Sequence, residues 1–132
     1  MRYSEEVVRR VHELQRVGVL PAGVDVGSGV SGTLEEGTVT RLDVRVSGNR
    51  VVEARFKVFG CSAAIASASL VAEWLEGATL AEARALTTER VAETLQLAHE
   101  REHVARRAIE AARQALAAAT TTTEGKRNDR NH

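Results

Sequence analysis

Cysteine and proline each occur once in this chain of 132 residues, the aromatic set is one Trp, one Tyr and two Phe, and formal net charge is zero. A single cysteine excludes an internal disulfide, so a reducing cytoplasm is the expected compartment. The absence of net charge, with basic residues dispersed, argues against a nucleic-acid or membrane-surface ligand. No apolar run is long enough to span a bilayer. Met1-Arg2-Tyr3-Ser4-Glu5-Glu6 also lacks the apolar core of a signal peptide.

What remains is 43% hydrophobic and 27% charged, the composition of a globular domain. We expect one domain over residues 1–119 and a disordered polar tail over 120–132, where four threonines open a stretch with no apolar pattern. Ser4 caps an amphipathic helix that runs to about Gln15 with Val7, Val8, Val11 and Leu14 on one face. A connector containing Pro21 follows. Gly27-Ser28-Gly29-Val30-Ser31-Gly32 matches the G-x-G-x-x-G phosphate loop, but a strand-like segment follows it rather than a helix, so a short glycine-kinked strand is the reading.

Val39–Val46 and Val51–Val58 alternate. Leu42, Val44, Val46, Val52, Ala54, Phe56 and Val58 make the apolar set. A two-residue turn at Gly48-Asn49 would set apolar against charged. A three-residue loop, Gly48-Asn49-Arg50, opposes Asp43 to Arg55 and Arg45 to Glu53, at the cost of Arg41 against Lys57. Extended to the open end, that register brings Gly37 beside Cys61, Thr38 beside Gly60, and Glu36 near the thiol. Ser62–Glu76 is apolar nearly all round, a buried helix ended by Gly77. Thr79-Leu80-Ala81-Glu82 is a capping box, Thr87 or Thr88 caps the next helix, and Glu100–Ala119 is the last. The fold class is therefore α+β: an N-terminal helix, a small three-stranded antiparallel sheet, then a bundle of helices packed on one face of it.

The segment Arg55–Trp74 joins strand to helix through Gly60-Cys61. Such a break exposes a side chain at the tip of a sheet, where unpaired N–H groups and the positive end of the helix dipole favour a thiol in its anionic, metal-binding and nucleophilic form.

Phe59-Gly60-Cys61, with the small-residue helix after it and Val26-Gly27-Ser28-Gly29 before it, resembles the IscU/NifU-type iron–sulfur scaffold family, and the resemblance extends from Tyr3 to about Leu116. It implies a non-enzymatic scaffold on which three cysteines, an aspartate and a histidine hold a nascent [2Fe–2S] cluster, or zinc, with sulfur supplied by a cysteine desulfurase. By position the middle cysteine is Cys61, the first falls on Glu36, the aspartate on Thr38, and the histidine–cysteine pair on His103-Val104. The family's Leu-Pro-Pro-Val-Lys chaperone motif is replaced by Leu97-Ala98-His99-Glu100-Arg101, and its early Asn-Pro element is absent.

One thiolate does not make a stable intrachain cluster. Cys61, His103 and Glu36 remain competent ligands for iron or zinc, with Thr38 and His99 as additional candidates and a homodimer pooling two Cys61 thiolates as a way to a labile [2Fe–2S] cluster. Two other functions fit the same residues. One is an interaction module docking a cysteine desulfurase or other sulfur-transfer protein without metal. The other is a persulfide carrier at Cys61 with His103 as base. The bland alternatives are a buried apolar cysteine, a solvated His103 and a simple turn charge at Glu36.

Overall fold

The computed structural model describes residues 3–130, with side chains described as far as Thr120. The order is α1 (Glu5–His12), β1 (Val26–Thr33), β2 (Thr38–Ser47), β3 (Arg50–Phe59), α2 (Ser62–Leu75), α3 (Leu80–Arg84), α4 (Thr88–Leu95), a 3-10 turn (His99–Arg101) and α5 (Glu102–Arg130). The three strands form one antiparallel sheet in the order β1-β2-β3, as the alternation predicts. Caps fall where the side chains demand them. Ser4 accepts from the Val7 amide, Thr79 and Glu82 close the capping box, and Thr87 accepts from the Arg90 amide. The long last helix passes Ala119, and Thr120 is a buried residue of it; the rest of the expected tail lies at side chains outside the described ones.

The hairpin is where the structure departs from expectation. Through most of its length the register is the expected one, with Asp43 opposite Arg55, Arg45 opposite Glu53 and Arg41 opposite Lys57. The connection, however, is the two-residue turn Gly48-Asn49, with Val46 opposite Val51 and Ser47 opposite Arg50. A bulge absorbs the one-residue conflict and leaves Val52 without a partner. Past the bulge the alternation inverts, so Val51 is fully buried while Val52, expected inside, is 43% exposed. Gly48 at φ 61° supplies the positive φ that a tight hairpin turn needs.

Leu42, Val44, Val46, Ala54 and Phe56 line the inner face, on which α2 and α5 lie. α2 is buried on nearly every side, with Glu73 its exposed residue. Gly27 and Gly29 of β1 face α5, where a Cβ would collide with the carbonyl oxygens of Ala115 and Ala111. The glycines of the phosphate-loop look-alike are therefore packing residues that let a helix lie directly on a strand.

The outer face carries one surprise. Asp43, which alternation puts opposite the core, is buried: it accepts hydrogen bonds from the Leu20 amide (2.9 Å), Ser28 Oγ (2.7 Å) and Arg41 Nε (2.9 Å). The connector between α1 and β1 thus crosses this face, pinned by Asp43. It first pairs with β3, through Phe56 N–H to Arg16 O and Gly18 N–H to Phe56 O, both 2.9 Å. The Glu76 carboxylate fastens the same edge, accepting from Arg16 Nε, Arg55 Nη1 and the Ala54 amide. Among the described residues no helix is long and apolar enough to cross a membrane.

Two outcomes test this fold. Val51→Ala should cost about 2 kcal/mol in urea unfolding through lost burial and a residual cavity, and Val52→Ala less than about 1 kcal/mol; the reverse order would contradict the bulge. Burial pushes the Asp43 carboxyl up, but the hydrogen bonds from Arg41, Leu20 and Ser28 outweigh it and hold the group below its ordinary range. A carboxyl depressed on folding stabilises above its unfolded pKa and loses that contribution as pH falls through the folded value. Asp43→Asn should therefore cost about 1–3 kcal/mol at pH 7, by leaving buried donors without their acceptor. It should also flatten the fall of stability below about pH 4 in a pH series of urea titrations.

Candidate metal-handling site at the sheet rim

Three segments meet at the open end of the hairpin: the β1–β2 turn (34–37), the β3–α2 junction at Gly60-Cys61, and the first two turns of α5. The turn is tight, with Gly37 N–H on Leu34 O (3.0 Å), Glu36 N–H on Thr33 Oγ1 (3.1 Å), and Gly37 at φ 85°. Gly60 lies against it. A Cβ there would sit 3.4 Å from Gly37 O, 3.5 Å from Thr38 Oγ1 and 3.1 Å from the Ala64 Cβ. This is the contact the extended register predicts.

Cys61 occupies the N-cap position of α2 in an extended conformation (φ -78°, ψ 173°). Its side chain makes no capping hydrogen bond, and the thiol is exposed and unpaired. A sulfur caps poorly where Ser, Thr, Asp or Asn would accept the orphan amides, so the position spends helix-start stability on presenting a thiol to solvent. The bland reading of a buried cysteine is excluded.

His103 is exposed on the first turn of α5, its Nδ1 3.1 Å from Glu100 O. A carbonyl only accepts, so Nδ1 is the donor in this bond, and Nε2 is the ring nitrogen left facing outward for another partner. Val104, the next residue, is buried in an apolar cluster with Ala63 and Ala64, which ties the starts of α5 and α2 together. His99 is turned to solvent, its side chain 95% exposed with Nδ1 3.6 Å from Glu102 Oε2. Thr38 is buried in the strand end.

Glu36 reaches α5, not the thiol: its Oε2 accepts from Arg107 Nη2 at 2.6 Å and Nε at 3.2 Å. Arg107 Nη1 also donates to Glu110 Oε1 at 2.9 Å, and that oxygen accepts from Ser31 Oγ at 2.7 Å. The Ser31 hydroxyl and then Arg107 hold the Glu110 carboxyl below its ordinary range, while Glu110 and Glu36 raise Arg107. Among the described residues no three His, Cys, Asp or Glu side chains are placed together to hold a metal ion. Cys61, His103 and Glu36 thus share one rim without forming a closed ligand set, and with a valine at 104 the set does not fit a resident four-ligand cluster. Sequence reasoning, which treats the basic residues only as dispersed charge, does not single out Arg107. The signal was its spacing of four from His103, which puts both on one face of α5.

The sequence matches the NifU-like N-terminal domain family over residues 2–125. It is 38% identical over 119 residues to the iron–sulfur cluster assembly scaffold protein IscU of Haemophilus influenzae, covering 89% of this chain and 94% of that protein. To the IscU scaffold protein of Escherichia coli K12 it is 38% identical over 128 residues, 96% of this chain and 100% of the other. In structure it is similar to a crystal structure ascribed to an iron–sulfur cluster assembly scaffold protein of the SUF system of Fervidobacterium islandicum AW-1. That match has a TM-score of 0.71 and 19% identity, with 86% of this chain and 96% of that one covered, which speaks for the fold alone. On the sequence matches, the chain belongs to the IscU/NifU N-terminal-domain family.

Proposed function

We propose that this protein is a non-enzymatic, scaffold-type component of iron–sulfur cluster assembly that takes iron, zinc or a labile [2Fe–2S] cluster as cargo at Cys61. One observation carries the reading: the thiol of Cys61 stands exposed at a strand-to-helix junction, beside the turn bearing Glu36 and the helix start bearing His103. Thiolate, imidazole nitrogen and carboxylate are each competent donors for zinc or ferrous iron, and here they stand on one rim without being gathered round an ion, so the exposed thiol is the donor the reading depends on. A cargo that must be handed on is better served by an incomplete, solvent-facing set than by a closed one. A reducing cytoplasm suits an exposed, unpaired thiol.

A second reading, docking of a cysteine desulfurase or other sulfur-transfer protein without metal, draws on Leu34 and Phe59. These flank the rim at 71% and 58% exposure, more apolar surface than an isolated β-turn needs.

Metal analysis of protein purified under reducing conditions tests the first reading. Near-stoichiometric zinc or iron is expected, lost in Cys61→Ser with the melting curve of the metal-free form otherwise preserved. Metal-free wild type whose melting temperature is unmoved by added Zn2+ would remove it. Desulfurase capture that survives Cys61→Ala but is lost in Phe59→Ser is the outcome expected of the second.

A further inference from the structure

α1 packs on α2, and the connector leaves α1 beside them. Where the three meet, a cavity of about 80 Å3 is lined by Arg9, Arg10 and Glu13 of α1, Arg16 of the connector, and Ser69 and Glu73 of α2. That is several times the roughly 10–15 Å3 one enclosed water needs, and far below the roughly 300–1,000 Å3 of a pocket for a drug-sized molecule. Its donors outnumber its acceptors. Arg10 is the most enclosed of the three guanidiniums, its side chain 13% exposed. Its terminal nitrogens reach Glu73 only at 3.3 and 3.4 Å, long for a charged pair, and its Nε is shielded from solvent with no acceptor. Ser69 is 5% exposed and, among the described residues, its hydroxyl has no hydrogen-bond partner. Ser67, two residues earlier, shows the ordinary arrangement for a helix serine, donating back to Ala63 O at 2.8 Å. Arg16 is fixed by the Phe56 amide on its carbonyl and by Glu76 on its Nε, while its Nη1 finds only Gln15 Oε1 at 3.4 Å. Enclosed donors without acceptors are costly, and here two of them belong to residues of different helices that border one cavity. Glu13 does not answer them, being exposed and 3.9 Å from Arg9. Three guanidiniums against two carboxylates leave the lining positive at neutral pH.

We propose that this cavity binds a small tetrahedral oxyanion, of the phosphate or sulfate class, held by Arg10, Ser69 and Arg16. Such an anion offers acceptor oxygens in several directions at once, which suits donors arriving from two helices and a connector. On binding, Arg10 exchanges its long bonds to Glu73 for short ones to the anion, and Glu73, 46% exposed, turns to solvent. The bound anion then ties α1 and the connector to α2. It is held by hydrogen bonds and charge alone, so no covalent bond forms or breaks. The site stands apart from Cys61, since Ser69 lies about two turns further along α2, and it does not depend on cargo at the rim.

The experiment is isothermal titration calorimetry of the full chain with sodium phosphate and, separately, sodium sulfate. Melting temperature is the second readout, and chloride and acetate at equal ionic strength are the controls. The proteins are wild type, Arg10→Met, Ser69→Ala, Glu73→Gln and Cys61→Ser. Saturable binding of phosphate or sulfate is expected in wild type and, undiminished, in Cys61→Ser. Arg10→Met keeps the apolar stem and should bind about tenfold more weakly. Glu73→Gln removes the competing carboxylate and should bind about threefold more tightly. Ser69→Ala separates binding from folding. Without anion it should melt no lower than wild type, because a better helix former replaces an unpartnered hydroxyl, yet it should bind about threefold more weakly. Phosphate and sulfate also strengthen folding generally, by exclusion from protein surfaces. Melting shifts of equal size in every variant, with no saturable heat, therefore overturn the proposal. So does a response to acetate or chloride equal to that of phosphate, and so does loss of binding in Cys61→Ser, which would move the site to the rim. If Arg10→Met does not fold, Ser69→Ala and Glu73→Gln decide the matter, and unchanged binding in both overturns the proposal.

Discussion

Two missing side chains decide where everything at the rim can be. With no Cβ at Gly27 and Gly29, α5 rests on the backbone of β1, close enough that any side chain there would strike the carbonyl oxygens of Ala111 and Ala115. That contact fixes the height of α5 against the sheet. It thereby fixes which α5 residues emerge at the open end of the hairpin: His103 at the helix start, and Arg107 and Glu110 on the turns that face Glu36 and Ser31. A β1 built from ordinary strand residues would lift the helix by the thickness of a side chain and carry those three groups away from their partners.

The rim is a place where stability is given up locally and recovered nearby. A cysteine at a helix N-cap leaves amides without the oxygen acceptor a serine or aspartate would supply. Compensation comes from the burial of the helix itself, whose residues from Ala63 onward pack on nearly every side, and from the Ala63–Ala64–Val104 cluster joining α2 to α5. The valine at 104 contributes apolar packing where the scaffold family resemblance points to a thiol. Of the positions that the resemblance matches to ligands, Val104 is part of the core and Glu36 is half of an ion pair. The exposed thiol of Cys61 and the exposed imidazole of His103 keep the positions the resemblance points to.

Much of this was legible in the residues. Alternation, charge complementarity across the hairpin and the glycine break gave the three strands, most of the register and the exposure of Cys61. Capping side chains at Ser4, Thr79 and Thr87 marked three helix starts. What stayed hidden had specific causes. Val51 and Val52 are identical, so composition could not say which one faces inward, and the preference of Gly48-Asn49 for a two-residue turn won over a single uninterrupted register by inserting a bulge. Asp43 looked like one more charge on a solvated face because the connector that covers it shows no regular period; only Leu20, an isolated apolar residue, hinted that the segment lies down on the sheet. Arg107 was one dispersed basic residue among many, although its helical phase relative to His103 carried the information.

The β3 margin of the sheet is covered, and the β1 margin is engaged at one amide. Along β3, Arg16–Gly18 adds a short parallel pairing, and the 77–80 segment bonds to Val51 and Asn49. Along β1, Gln114 of α5 takes the Val30 amide at 3.1 Å. The covered β3 margin offers little backbone for a visiting strand to zip onto, which guards against self-association through that edge. It also dictates the approach of any macromolecule that exchanges cargo with Cys61. Such a visitor must come head-on to the tip, reading side chains such as Phe59 and Leu34 and the loop surfaces around them, and its grip will be set by shape and apolar fit rather than by main-chain ladders.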